Sequence, residues 1–174
     1  VVSGETGYRE AKDFMRLLMP SHARNVRLWL EPQGVFVKSG VETQLDAMFS
    51  PQVTLKSGGY LVINQTEALV AIDVNSGRST REHNIEDTAL RTNLEAADEV
   101  ARQLRLRDLA GLIVVDFIDM EEPRNNRAVE RRLKDALKND RARIQVGRIS
   151  HFGLLEMSRQ RIRTGVLESS SVPC

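Results

Sequence analysis

Two apolar runs on either side of a long helical stretch restrict the fold of this chain more than any other feature. The first, residues 69–74 within ALVAIDVNSG, reads as a buried strand. The second, GLIVVDFI at residues 111–118, is near-continuous and rich in β-branched residues, as expected of a central strand covered on both faces. Between them a polar loop runs to about Asn84, and residues 88–109 then place Ala89, Leu90, Leu94, Ala97, Val100, Ala101 and Leu104 on one helical stripe. Strand, long helix, strand is the pattern of parallel neighbours joined by a right-handed crossover.

The flanking segments extend that unit. VTLKSGGYLVIN, residues 53–64, reads as a hairpin turning at Ser57-Gly58-Gly59. Residues 124–139 form a second, strongly charged helix with Val129, Leu133, Ala136 and Leu137 turned inward, and RIQVGRIS and GLLEMS read as two strands, antiparallel around His151-Phe152-Gly153. The expected class is therefore α/β, with a mixed, mostly parallel sheet flanked by helices. The first 50 or so residues stand apart. Residues 8–19 form a helix with one buried stripe stopped by Pro20, residues 26–30 alternate like a half-buried strand, and residues 41–49 repeat apolar residues at helical spacing. They have no obvious partner strands of their own.

With 174 residues, 41% of them hydrophobic and 28% charged, the chain can bury a core as one domain, or as one compact domain with an attached fragment. No apolar run approaches the roughly 20 residues of a membrane span, and the N-terminus lacks the basic and apolar regions of a signal peptide, so a cytoplasmic protein is expected. The single cysteine, Cys174, excludes an intrachain disulfide framework. The net charge of +1 is unevenly spread: residues 124–163 hold 12 Lys or Arg against 4 Asp or Glu, a local +8, which leaves 13 against 20, or −7, elsewhere. A segment of that sign suits a polyanion, and a solvated helix face is the plainer reading.

The chemistry-bearing residues sit at strand ends. Residues two apart in a strand point to one face, so Asp73 and Asn75 project together, and Asp116 occupies the same position in the next core strand. In an open α/β sheet, ligands bind outside the carboxyl ends of the strands. Two carboxylates side by side need a shared proton, cationic partners or a metal ion, and an oxygen-only donor set favours Mg²⁺ or Mn²⁺ over Zn²⁺. Such a site suits in-line attack on a phosphodiester. Ser76, Arg78, Ser79 and Arg81 follow as phosphate contacts, and Arg141, Arg143 and Arg148 further on either grip phosphate or form a solvated edge. The plainer reading is that an Asp or Asn at a strand end caps a turn with its own side chain, and on spacing alone both readings stand. Asp119 is expected to face away from Asp116 and to cap the following loop. His22, His83 and His151 form no cluster, and the absence of a Gly-rich nucleotide loop or Walker pattern disfavours a dinucleotide enzyme or an NTPase.

Three blocks, TEALVAIDVNSG, TNLEAADEVARQLRLRDLAGLIVVDFIDM and GRISHFGLLEMSRQR, occur in this order and closely resemble the catalytic region of the ribonuclease E/G family, nearer its E than its G branch. The resemblance implies part of an RNase H-like subdomain at 1–49, a DNase I-like catalytic subdomain at 50–168, and at 169–174 the truncated start of a zinc-link segment. It assigns Asp73 and Asp116 to Mg²⁺, which Mn²⁺ can replace, and Asn75 to the scissile phosphate or a metal-bound water. The implied reaction is endonucleolytic hydrolysis of single-stranded RNA to 5′-phosphate and 3′-hydroxyl ends, in RNA processing and decay. Cys174 matches the first cysteine of a Cys-Pro-x-Cys segment through which two chains share one Zn²⁺, and the second cysteine is absent.

The resemblance further implies a larger enzyme. It acts as a homodimer or homotetramer, recruits degradosome proteins through regions absent here, and lies in the cytoplasm or on the inner face of the cell membrane. This chain is expected to be a portion of it, weakly active or inactive by itself. Arg78, Arg81, Arg141 and Arg143 are the expected RNA contacts. The alternative is a noncatalytic RNA-binding or assembly module, motivated by the +8 segment. A nucleotide-binding regulatory domain rests on fold analogy alone.

Overall fold

The computed structural model describes residues 1–77 and 84–162, and the chain divides into two compact units, Val1–Phe49 and the remainder from Ser50. In the first, β1 (Val2–Ser3) pairs in parallel with β2 (Leu28–Trp29), and α1 (Glu5–Leu18) lies between them in sequence. Pro20 opens a 3₁₀ turn, Pro20–Asn25, and two short helices follow, α2 (Val35–Lys38) and α3 (Val41–Ala47). The apolar stripe expected to be buried on α1 is not. No residue of that helix is buried, and Phe14 and Leu18 are 61% and 59% exposed. Two-residue strands are too narrow to cover a helix face, so this unit has almost no core of its own, and Ala23 is its one buried apolar residue among those described.

The second unit carries β3 (Gln52–Thr54), β4 (Tyr60–Gln65), β5 (Val70–Asn75), α4 (Ile85–Arg107), β6 (Gly111–Asp116), α5 (Pro123–Leu137), β7 (Ile144–Ile149) and β8 (Leu154–Arg159). The hairpin around residues 57–59 and the hairpin around 151–153 both form as the sequence indicates. The six strands are ordered β3-β4-β5-β6-β8-β7. The sheet is mixed, but it is not mostly parallel: only β5 and β6 run together, and every other neighbouring pair is antiparallel. The reason is topological. The crossover through α5 delivers β7 to the sheet edge, two positions beyond β6, and β8 folds back into the gap antiparallel to both neighbours. The edge strand β7 is irregular, with a register shift between Val146 and Ile149.

Alternation along the strands shows where the core lies. Leu61, Ile63, Val70, Ile72, Val74, Ile113, Val115, Leu155 and Met157 are all buried and pack with Ala97, Val100 and Leu104 of α4 and Val129 and Leu133 of α5. Each such Leu, Ile or Val contributes about 1.5–3 kcal/mol through burial. The alternate residues face the other way, and there β6 departs from the expectation of a strand covered on both sides: Leu112 is 46% exposed and Asp116 is exposed. Within the second unit both helices cover one face of the sheet and leave the other open. The apolar Leu112 and Val114 make the run look doubly buried.

Local chemistry fixes the helix ends. Asn84 caps α4 by accepting from the backbone N–H groups of Glu86 and Asp87, satisfying donors that the first turn would otherwise orphan. Pro123 opens α5, where its missing N–H costs nothing. The Glu86 carboxylate accepts from the N–H groups of Glu121 and Glu122 at 3.0 and 3.2 Å and from Asn125 Nδ2 at 2.7 Å, tying the start of α4 to the start of α5. The Glu121 backbone bond, ahead of the others, holds the Glu86 carboxyl below its usual pKa.

Candidate active site

The open face of the sheet carries the acidic residues. Asp73 and Asp116 are direct register partners on the two parallel strands, so their Cβ atoms leave the same face of strands spaced about 4.8 Å apart. Both side chains are exposed. Asn75, two residues beyond Asp73, donates from Nδ2 to Asp73 Oδ2 at 3.1 Å, which keeps the amide beside the carboxylate. The structure therefore brings together all three residues that strand periodicity pairs. Val62 and Leu154 flank the two aspartates on the neighbouring antiparallel strands, so the acidic pair is set in an apolar border.

Electrostatics makes this pair unlike two surface carboxylates. Asp116 is held above the usual carboxyl pKa, first by desolvation and then by the negative charges of Asp73 and Asp119. Among the described residues neither Asp73 nor Asp116 has a Lys or Arg partner. Two carboxylates and an amide oxygen form a hard-oxygen donor set that fits Mg²⁺ or Mn²⁺. Protein groups alone do not close a cage: the described residues contain no group of three or more His, Cys, Asp or Glu able to hold an ion. A cation held by Asp73 and Asp116 would keep positions for water and substrate oxygens.

Asp119 differs from its expected role. The strand ends at Asp116, so strand alternation no longer governs Asp119, and its charge bears on Asp116. Its Oδ1 lies against Gly153 in the β7–β8 turn, where a Cβ on the glycine would come within 2.7 Å. That turn also presents Phe152, 80% exposed, with the His151 ring edge-on at 5.8 Å between centroids. The turn belongs to the aspartate end of the sheet, because Leu154 pairs with Asp116.

The arginines divide differently. Arg141 and Arg143 are exposed just before β7, whose first residue, Ile144, pairs with Arg159, itself the partner of Gly111 at the start of β6. Asp116 lies at the other end of β6, about 17 Å away at about 3.3 Å per residue. One phosphate cannot touch both groups. Arg148 instead joins Arg127, Arg131, Lys134 and Lys138 around a groove of about 730 Å³ between α5 and β7. Ser76 follows β5 directly, while Arg78, Ser79, Arg81 and Cys174 lie outside the described residues.

Residues behind the site complete it, and strand periodicity does not point to them. Asn93 is fully buried on α4, where it donates from Nδ2 to the Ile118 carbonyl at 2.8 Å and accepts from the Ile118 N–H at 3.0 Å. The signal that could have found it is an amide on a helical stripe otherwise made of Ala89, Ala97, Val100 and Leu104. Glu95 Oε2 accepts from the Ser57 N–H at 3.0 Å, bracing the turn beneath the end of β5.

A sequence model of the Ribonuclease E/G family matches residues 1–162. The chain belongs to the ribonuclease E/G family. It is 54% identical over 167 residues to Ribonuclease E of Haemophilus influenzae, covering 96% of this chain and 18% of that protein. It is 55% identical over 155 residues to Ribonuclease E of Escherichia coli, covering 89% of this chain and 15% of that one. Ribonuclease G of Haemophilus influenzae is 40% identical over 156 residues, 90% of this chain and 32% of that protein. The chain thus spans less than a fifth of the length of these ribonuclease E relatives, and the likeness to the E branch exceeds that to the G branch.

Proposed function

We propose that this chain is the catalytic core of a Mg²⁺-dependent endoribonuclease that hydrolyses single-stranded RNA to 5′-phosphate and 3′-hydroxyl ends. The observation that carries the reading is the register pairing of Asp73 with Asp116 on an open sheet face, with Asn75 bonded to Asp73. The relatives' names, Ribonuclease E and Ribonuclease G, supply the substrate class. A bound dication supplies neutralisation of a phosphoryl oxygen and acidifies water. The chain's own residues do the rest. Asp73 and Asp116 would hold the cation, and their remaining oxygens accept hydrogen bonds or a proton from the attacking water. Asn75, whose Nδ2 donates to Asp73, has a second N–H that can donate to the scissile phosphate, while its carbonyl oxygen can accept from water. Water oxygen bonds to phosphorus as the P–O3′ bond breaks, the leaving O3′ takes a proton, and the phosphate stays with the 5′ carbon of the downstream product.

The same reading assigns Arg78, Arg81, Arg141 and Arg143 to the RNA backbone, with the last two, by their distance from the aspartates, acting on a different phosphate from the one cleaved. It also carries a Zn²⁺ shared between chains through Cys174, a homodimeric or homotetrameric full-length enzyme with degradosome partners, and a cytoplasmic location reaching the inner membrane face.

The test uses the full-length protein that contains this chain, carrying Asp73→Asn or Asp116→Asn. Cleavage of a single-stranded RNA is expected to fall on the order of 100-fold or more at saturating Mg²⁺, while RNA binding persists. Wild-type cleavage by either variant would end the reading. The noncatalytic alternative draws on one observation, the basic groove between α5 and β7. If RNA binding is all this unit does, replacing Arg131 and Lys134 by alanine lowers the salt dependence of binding by about 0.7 for each phosphate left unneutralised, and the aspartate variants leave every RNA readout unchanged.

A further inference from the structure

One helical turn of α4 touches the supports of both aspartate-bearing strands. Asn93 turns both ends of its amide to a single peptide: Nδ2 donates to the Ile118 carbonyl at 2.8 Å and Oδ1 accepts from the Ile118 N–H at 3.0 Å. The side chain is 0% exposed, so neither bond competes with water. Ile118 comes two residues after Asp116 and one before Asp119, where the chain has left β6 and no ladder bond fixes it. The two-bond clamp replaces the missing strand partner and sets the direction in which the chain departs.

The neighbouring residues of the same turn act on the other strand. Thr92 Cγ2 stands 3.0 Å from where a Cβ on Gly59 would lie, and that Cβ would also come within 2.7 Å of the Asn75 carbonyl. Glu95 Oε2 holds the Ser57 N–H at 3.0 Å. Thr92, Asn93 and Glu95 therefore link one rigid helix to the turn under the end of β5 and to the exit from β6. A shift of that helix, or loss of the Asn93 clamp, changes the separation of groups that must converge within about 0.5 Å to hold a small cation.

We infer that Asn93 is a positioning residue for the acidic pair: through the Ile118 peptide it sets where Asp116 and Asp119 stand relative to Asp73. This rests on the reading of Asp73 and Asp116 as a dication site. A residue that merely satisfied a buried peptide would lend stability and nothing more. A positioning residue also sets cation affinity, since a small cation is held only when its ligands keep their productive geometry.

The experiment compares Asn93→Leu, close in volume but unable to bond the peptide, with Val100→Ala, a fully buried packing change two turns along the same helix. Both are made in the full-length protein and examined for thermal unfolding, for Mn²⁺ uptake by electron paramagnetic resonance, and for the Mg²⁺ midpoint of single-turnover RNA cleavage. Both variants lower the unfolding temperature. Asn93→Leu alone is expected to weaken Mn²⁺ uptake and raise the Mg²⁺ midpoint about tenfold or more. Asn93→Ser, a milder change read in the same way, serves if Asn93→Leu does not fold. Equal cation affinity in the Asn93 and Val100 variants would overturn the inference. Asp73→Asn separates it from the reading beneath it. If that variant takes up Mn²⁺ as the wild type does, the cation site itself is wrong. If it loses Mn²⁺ while the Asn93 variants keep it, the site stands and the positioning role falls.

Discussion

Arg159 and Asp140 meet in the interior through two hydrogen bonds, Nε to Oδ2 at 2.9 Å and Nη2 to Oδ1 at 3.1 Å, with both side chains about 2% exposed. The same guanidinium donates to Asp108 Oδ1 at 2.8 Å and to the Leu109 carbonyl at 3.1 Å. Asp108 is the left-handed residue, φ 47°, that ends α4, and Asp140 follows α5, so the last residue of β8 ties down the exits of both helices. Arg159→Met strands two buried carboxylates and is expected to cost about 3–5 kcal/mol in urea unfolding. Arg102→Ala, which removes an exposed pair with Glu99, should cost no more than about 1 kcal/mol. Similar losses in the two variants would refute the assignment of this triad as the internal tie.

The triad also sets an acid limit. Burial is the largest single influence on the Asp140 carboxyl and pushes its pKa up, but the bonds from Arg159 and the Ala142 N–H, with the positive charges of Arg159 and Arg105, outweigh it and hold the group below its usual value. A depressed folded-state pKa means stability that is fully present above the unfolded value, about 3.9, and lost as pH falls through the folded one. Asp140→Asn should therefore be less stable than wild type at neutral pH and converge with it below about pH 4. A gap that stays constant down to low pH would show that the ionised form is not what matters.

Asp116 has the opposite sign. Its folded-state pKa is raised, by burial first and then by Asp73 and Asp119, so its contribution to stability is best below the unfolded value and worsens as pH rises towards the folded one. With Mg²⁺ chelated, Asp116→Asn should raise the melting temperature at pH 7 and lose that advantage below about pH 4. Adding Mg²⁺ should stabilise the wild type and not the variant. An Asp116→Asn protein less stable than wild type in chelator would contradict a mutually repelling acidic pair.

Gly77 couples the end of β5 to the first hairpin. Its φ is +61°, and a Cβ there would stand 2.5 Å from the Gly58 carbonyl oxygen. Gly77→Ala forces the two turns apart at a cost of about 1–3 kcal/mol, and the displacement reaches Asn75 two residues earlier. Cleavage by the full-length protein is expected to fall at least tenfold at a temperature where the variant is folded. A variant as active as wild type would show that Asn75 tolerates movement of its own strand end.

The core is legible in the sequence because two periods, 2 and 3.6, are imposed by backbone geometry and survive in Leu61, Ile72, Val100 and Leu133. The convergence of Asp73, Asn75 and Asp116 is legible for the same reason. Sheet direction is not. Nothing in RIQVGRIS or GLLEMS encodes which neighbour each strand takes, and insertion of β8 beside β6 depends on tertiary closure of the last hairpin. The open face is hidden because Leu112 and Val114 are apolar although partly solvated. Asn93 and Arg159 act across 25 and 51 residues, and separations of that kind leave no local pattern.

The two edges of the sheet bear on how copies of this chain could associate. One edge, β3, is three residues long, and the other, β7, breaks its register between Val146 and Ile149 around Gly147 and the exposed Arg148. Neither presents a long, flat row of free main-chain donors and acceptors, and a charged bulge turns an incoming strand away. Lateral growth by strand addition is thereby discouraged, which favours side-chain contacts over extension of this sheet wherever copies of the unit meet.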